Sequence, residues 1–134
     1  MIQQNSIQTF SSQDAKYLTQ NIKCNGKTVT ALVDTGANAS VISEATVLAD
    51  WEMSRSGTGL SGADGRPLKI LGKVKINISL RLGKVEKIKT QHILVVSGLT
   101  VPFLLGMDLM SAFKLKIETD TKTSASLIRL MACA

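Results

Sequence analysis

The sequence predicts an all-β domain interrupted by one or two short helices. Two observations carry this. Val74, Ile76, Ile78, Leu80 and Leu82 alternate strictly with Lys75, Asn77, Ser79 and Arg81, the period of a half-buried strand. Asn25-Gly26 stands between the apolar runs Ile22–Cys24 and Val29–Val33, and both turn residues tolerate positive φ, so a tight hairpin is expected there.

The remaining elements follow along the chain. Residues 1–14, rich in Gln, Ser and Asn, read as a flexible arm that becomes ordered only by pairing, leaving 15–134 as one domain. Strand character begins near Tyr17 and resumes at Val41-Ile42 after the segment Asp34–Ser40. Ala45, Leu48 and Trp51 recur at three-residue spacing behind Ser43, a fair N-cap, which predicts a short helix ending near Met53, with Trp51 covering the core. Residues 54–68 are rich in Gly and Ser, and Asp64-Gly65 marks a turn within them. Gly83-Lys84 turns the long alternating strand back into Ile88–Val96. Val101–Leu105 is a short buried run, Asp108–Ala112 a brief helix, and Leu115–Glu118 with Ser126–Leu130 a final pair of strands.

The chain has 134 residues, of which 44% are hydrophobic and 19% charged, enough for a real core and too little charge for a disordered chain. Aromatics are only 4%, so Ile, Leu, Val and Met must build that core. No apolar run is long enough for a spanning helix, and the polar first residues lack a secretory pattern. The expectation is therefore a cytoplasmic protein without membrane contact, its thiols reduced. Cys24, Cys133 and the single histidine, His92, have no metal-type spacing, so neither metal nor cofactor is expected. The two thiols read as ordinary and His92 as a strand or surface residue. The net charge of +6 would suit nucleic acid, but the lysines alternate with apolar residues as on solvated strand faces, and few aromatics accompany them. A nucleic-acid partner is not expected.

The chemistry-bearing segment is Ala31-Leu32-Val33-Asp34-Thr35-Gly36-Ala37. An apolar strand delivers a carboxylate into a turn, followed by a hydroxyl and a glycine. Alone, the triplet could be a strand-ending turn and nothing more. A second piece changes that. Leu104-Leu105-Gly106 lies 106 − 36 = 70 positions after Gly36 and again sets two apolar residues before a glycine and a short helix. With Asp34-Thr35-Gly36-Ala37, Leu60-Ser61-Gly62-Ala63-Asp64-Gly65 between, and Leu104-Leu105-Gly106 leading into Met107-Asp108-Leu109-Met110, the chain over about residues 20–130 resembles the retropepsin-like aspartic proteases of retroviruses and retrotransposons, and similar cellular domains.

That resemblance implies a closed, barrel-like β fold with a flap hairpin, assembled as a homodimer. It implies Asp34 as catalytic, Thr35 as the hydroxyl bracing the active-site loops across the dimer, and Gly36 as both loop support and a substrate contact. Ala37 and Asn38 on the floor, and Gly62, Ala63 and Asp64 in the flap, would touch substrate. Many viral members carry aspartate where this chain has Asn38, which bears on subsite preference. Asp108 also follows an apolar-apolar-Gly run, but its place at a helix start points to capping rather than catalysis.

Peptide hydrolysis by this chemistry needs two carboxylates sharing one proton, and the chain has one Asp-Thr-Gly and no Asp-Ser-Gly, so a two-fold dimer is required. The function implied is an endopeptidase acting on an extended peptide in a polyprotein, including its own precursor, in the cytoplasm or inside virus-like particles. The alternative is a catalytically silent module that keeps the fold for dimerisation or peptide binding.

Overall fold

The computed structural model describes residues 7–10, 18–55, 59–61, 67–120 and 126–133. Eleven strands run in chain order among them: β1 (Ile7–Phe10), β2 (Thr19–Cys24), β3 (Lys27–Val33), β4 (Val41–Ser43), β5 (Met53–Arg55), β6 (Gly59–Ser61), β7 (Pro67–Leu82), β8 (Val85–Ser97), β9 (Phe103–Leu105), β10 (Leu115–Asp120) and β11 (Ser126–Ala132). One α-helix, α1 (Met107–Ala112), and a 3-10 turn at Glu44–Thr46 complete the described elements.

Six strands close on themselves. The order β2-β3-β9-β4-β8-β7 returns to its start because β7 also pairs with β2, Ile22 opposite Leu80 and Cys24 opposite Ile78. β5 and β6 lie against β7 as additions to this ring. A separate three-stranded sheet, β1-β11-β10, gathers the two ends of the chain, with Ile7–Phe10 antiparallel to β11.

The predicted periodicity sets which faces are buried. Val74, Ile76, Ile78, Leu80 and Leu82 all enter the core, while Lys73, Lys75, Asn77 and Arg81 stay exposed. Each such aliphatic side chain contributes about 1.5–3 kcal/mol by leaving water. Ile22, Cys24, Val29, Ala31 and Val33 meet them from β2 and β3, and Phe103, Leu105, Leu109 and Phe113 from the β9–α1 segment. A smaller cluster, Val41, Ile70 and Val96 with Leu94, Leu99 and Leu104 against it, occupies a second site.

The hairpin at Asn25-Gly26 forms with both residues at positive φ, 52° and 86°. Asn25 does more than turn the chain. Its backbone N–H donates to the Asn77 carbonyl (2.9 Å) and its side-chain oxygen accepts from the Asn77 N–H (2.8 Å), extending the β2–β7 pairing past the strand end. At the other end of β7 a bulge between Ile70 and Gly72 accommodates β5. A Cβ at Gly72 would lie 2.1 Å from the Ser54 carbonyl oxygen, so only glycine permits this approach.

The helix expected over 43–53 is not there. Ser43 does cap a turn, accepting from the Ala45 N–H (3.3 Å), but the chain leaves helical geometry at Val47 and re-enters a strand at Met53. Tertiary bonds account for the difference. The Thr46 carbonyl accepts from Lys27 Nζ (2.9 Å) and the Thr46 hydroxyl donates to the Pro102 carbonyl (3.3 Å), contacts a continuous helix would forgo. Trp51 still packs in the core, as predicted. The second helix lies close to its predicted place, and Lys87 closes its far end by donating from Nζ to the Phe113 carbonyl, a cation at the negative end of the helix. His92 is a surface residue opposite Lys75.

No helix among the described residues is long and apolar enough to cross a membrane.

The two thiols differ sharply in environment. Cys24 is fully buried, and burial pushes its thiol up to about 12, Lys27 only partly offsetting this. Cys133 is exposed. Since the thiolate is the reactive form, one thiol per chain is expected to react with a disulfide reagent under native conditions, and the second only after denaturant is added. Two fast-reacting thiols would contradict this packing.

Candidate active site

Two loops meet at one end of the ring. β3 and β9 run parallel, Ala31 beside Phe103, Leu32 beside Leu104 and Val33 beside Leu105. Ala31, Val33, Phe103 and Leu105 face the core, and the alternation leaves Leu32 and Leu104 half-buried on the opposite side. The strands deliver Asp34 and Gly106 side by side, and the Asp34 N–H donates to the Leu105 carbonyl (2.9 Å).

Within the first loop, Asp34 Oδ1 accepts the Gly36 N–H (2.9 Å) and the Asp34 carbonyl accepts the Ala37 N–H (3.2 Å). Gly36 is crowded by this arrangement, since a Cβ there would lie 3.2 Å from Asp34 Oδ1. The second carboxylate oxygen, Oδ2, has no hydrogen-bond partner among the described residues, and neither does the exposed Thr35 hydroxyl. Asn38 is exposed, and its side-chain amide is likewise unpaired among them; only its carbonyl is engaged, by the Asp108 N–H (3.1 Å). Asp34, Thr35, Gly36, Ala37 and Asn38 thus occupy one short loop.

The second loop is stitched to the first. Met107 N–H donates to the Ala37 carbonyl (2.8 Å), and a Cβ at Gly106 would lie 2.7 Å from that same oxygen. Asp108 is not the helix cap. The N-cap is Gly106, without a side-chain cap bond, and the Asp108 carboxylate, while accepting the Leu109 N–H (2.7 Å), reaches across to Ser40. There it accepts the Ser40 N–H on both oxygens (3.0 Å each) and the Ser40 hydroxyl on Oδ1 (2.6 Å), while Ser40 Oγ accepts the Gly106 N–H (2.8 Å). Sequence reasoning missed Ser40, which lies 68 positions from Asp108. The available signal was weak: a small hydroxyl residue, Ser40, at the end of the Asp34 loop.

The flap arms are present in part. Gly59–Ser61 pairs antiparallel with Pro67–Lys69, Leu60 opposite Leu68 and Ser61 opposite Pro67, a hairpin arm that tolerates proline at its first strand position. Gly62, Ala63 and Asp64 lie outside the described residues. The described residues contain no group of three or more His, Cys, Asp or Glu arranged to hold a metal ion.

This arrangement can position an acid–base carboxylate. Asp34 stands at the end of β3 with one oxygen fixed by its own loop and one uncommitted, on the same side of the sheet as the half-buried Leu32 and its register neighbour Leu104. Comparison with known proteins agrees with the geometry. The structure is similar to EIAV protease in complex with the inhibitor HBY-793, with a TM-score of 0.60 and 24% identity over 72% of this chain and 88% of that one. It is also similar to the retroviral protease-like domain of Ddi1 from Leishmania major, with a TM-score of 0.56 and 15% identity over 87% of this chain and 94% of that one. No curated protein matches the chain in sequence. Residues 18–118 match the family described as retroviral aspartyl protease, three-quarters of the chain and both loops included, and the chain belongs to that family.

Proposed function

We propose that the chain is an aspartic endopeptidase that works as a homodimer, with Asp34 from each copy forming the catalytic pair. The observation that carries this is the Asp34-Thr35-Gly36 loop itself. The Asp34 carboxylate is oriented by the Gly36 N–H, yet Oδ2 and the neighbouring Thr35 hydroxyl have no partner among the described residues. Thr35 is exposed and Asp34 half-buried on this loop, where a second copy related by a two-fold axis would supply the missing groups.

In such a pair, like charges about 3 Å apart cannot both ionise, so one proton is shared; aspartic proteases are the standard example of this rule. The ionised carboxylate takes a proton from water as its oxygen attacks the scissile carbonyl. The protonated carboxylate donates a hydrogen bond to the carbonyl oxygen as negative charge develops there. The tetrahedral species then breaks its C–N bond as the leaving nitrogen takes the proton that the first carboxylate removed from water, which restores that carboxylate to its ionised form. The half-buried Leu32 and Leu104 offer apolar contact to side chains flanking the bond, and an extended peptide would lie between this floor and the flap arms. The substrate proposed is a polyprotein segment, the enzyme's own precursor included.

The test is cleavage of a peptide library with and without a statine-type inhibitor, with sedimentation on the same samples. Cleavage that the inhibitor blocks, by a species sedimenting as a dimer, is expected. Peptide binding without cleavage would point instead to the silent module, and an active monomer would overturn the paired site. Because two carboxylates share a proton, activity is expected to be bell-shaped in pH and highest in mildly acidic solution. Its acid limb marks loss of the ionised base, and its alkaline limb loss of the shared proton. A rate flat from about pH 4 to pH 9 would contradict the pairing.

A further inference from the structure

We infer that Asp108, acting through Ser40, is a positioning residue for the Asp34 loop, an inference that rests on the paired-Asp34 reading above. The loop from Asp34 to Ser40 is held on its near side by backbone bonds: Asp34 N–H to Leu105 O, Met107 N–H to Ala37 O, and Asp108 N–H to Asn38 O. Its far end, where the chain turns into β4, is held by side chains. Three donors converge on the Asp108 carboxylate, namely the Ser40 N–H, the Ser40 hydroxyl and the Leu109 N–H.

The direction of the hydroxyl bond follows from the geometry. Ser40 Oγ accepts from the Gly106 N–H (2.8 Å), so its own proton points to Asp108 (2.6 Å). The sequence Gly106 N–H, Ser40 O–H, Asp108 carboxylate is therefore a relay with one sense, and it joins the second loop to the exit of the first. A carboxylate suits its end because every group facing it is a donor. All three donors reach Oδ1, so an asparagine could keep them and only loss of the acceptor itself, as in Asp108→Ala, breaks the relay.

Ser40 is buried to 1% relative exposure and its bond from the Gly106 N–H is buried, whereas Asp108 is exposed. Leaving that N–H without a partner costs about 1–3 kcal/mol, so the fold depends on the relay as well, and kinetics on folded protein separate the two roles. The reaction is the more sensitive reading. A two-fold axis repeats any shift of the loop in the second copy, so the error enters the separation of the two carboxylates twice. Misplacement by about 1 Å at a reacting centre can cost about 10²-fold in rate.

The test compares Asp108→Ala, Ser40→Ala and the double variant at a temperature where Trp51 fluorescence shows each fully folded and sedimentation shows each dimeric. Either single change is expected to lower kcat by about 10²-fold while KM stays within about twofold. The double variant is expected to be no worse than the worse single one, since the two residues act as a unit. Affinity for a statine-type inhibitor, whose hydroxyl sits between the carboxylates, should fall with kcat/KM, while affinity for a reduced-peptide-bond analogue without that hydroxyl should not. Wild-type kcat in both folded single variants, or additive losses in the double one, would overturn the inference. Failure of the unaltered protein to cleave any peptide or bind statine would instead remove the paired-Asp34 reading on which it rests.

Discussion

Asp34→Asn should give a folded protein that hydrolyses peptides about 10⁴-fold more slowly, the upper end of what general acid–base groups contribute. The size follows from the proposed symmetry, since one change in the chain would alter both carboxylates of the proposed pair and leave neither an ionised base nor a shared acidic proton. The fold should not notice. The bond that orients this side chain is made by Oδ1, which accepts the Gly36 N–H, and the oxygen of an asparagine amide can accept it equally well. Unfolding free energy is therefore expected within about 0.5 kcal/mol of the unaltered chain. Mixing gives a second reading of the same variant. Titrating the active protein with excess Asp34→Asn should suppress cleavage, because exchange of subunits converts active pairs into pairs with one carboxylate. Cleavage by the variant at an ordinary rate would remove Asp34 from the mechanism, and activity indifferent to the mixture would argue against exchange between paired subunits.

The second large effect is expected at Gly106. A methyl group there would lie 2.7 Å from the Ala37 carbonyl oxygen and 3.0 Å from the Ala39 carbonyl group, all backbone atoms that no rotamer change can move aside. Gly106→Ala must therefore push the two loops apart. Overpacking of this kind costs about 1–3 kcal/mol. The same displacement would break the Gly106 N–H to Ser40 Oγ bond and the Met107 N–H to Ala37 bond. Activity should thus fall much further than stability, and measuring urea unfolding alongside peptide cleavage on the same preparation separates the two. Loss of stability with full specific activity in the folded fraction would show that the two loops move independently.

Local signals in the sequence were sufficient wherever a neighbour in the chain settles the structure. The alternation over Val74–Leu82, the Asn25-Gly26 turn and the strand running into Asp34 each depend on contacts within a few residues, and each lies where it was expected. Trp51 reached the core by a route the pattern did not specify. Three apolar residues at helical spacing were outweighed by Lys27 and Pro102, which bind Thr46 from 19 and 56 positions away. Ser40 and Asp108 illustrate the same limit at the candidate site. Each looks locally like a capping or turn residue, and only the parallel pairing of β3 with β9 brings them together.

The three-stranded sheet at the chain ends has a temporal consequence. Its middle strand is β11, and both neighbours, β1 and β10, take their partners from it. Ile7–Phe10 is synthesised before the ring strands and pairs with residues made more than a hundred positions later, Ile7 opposite Arg129 and Phe10 opposite Ser126. A ribosome adds about 5–20 residues per second, so those early residues wait several seconds before a partner exists. The ring can begin to assemble meanwhile, since the β2–β3 and β7–β8 hairpins are local, although the β2–β7 seam must also close over more than fifty residues. Assembly of this sheet must therefore follow synthesis of the whole ring, and the exposed edge of a waiting strand is where a chaperone or a neighbouring nascent chain would compete for it.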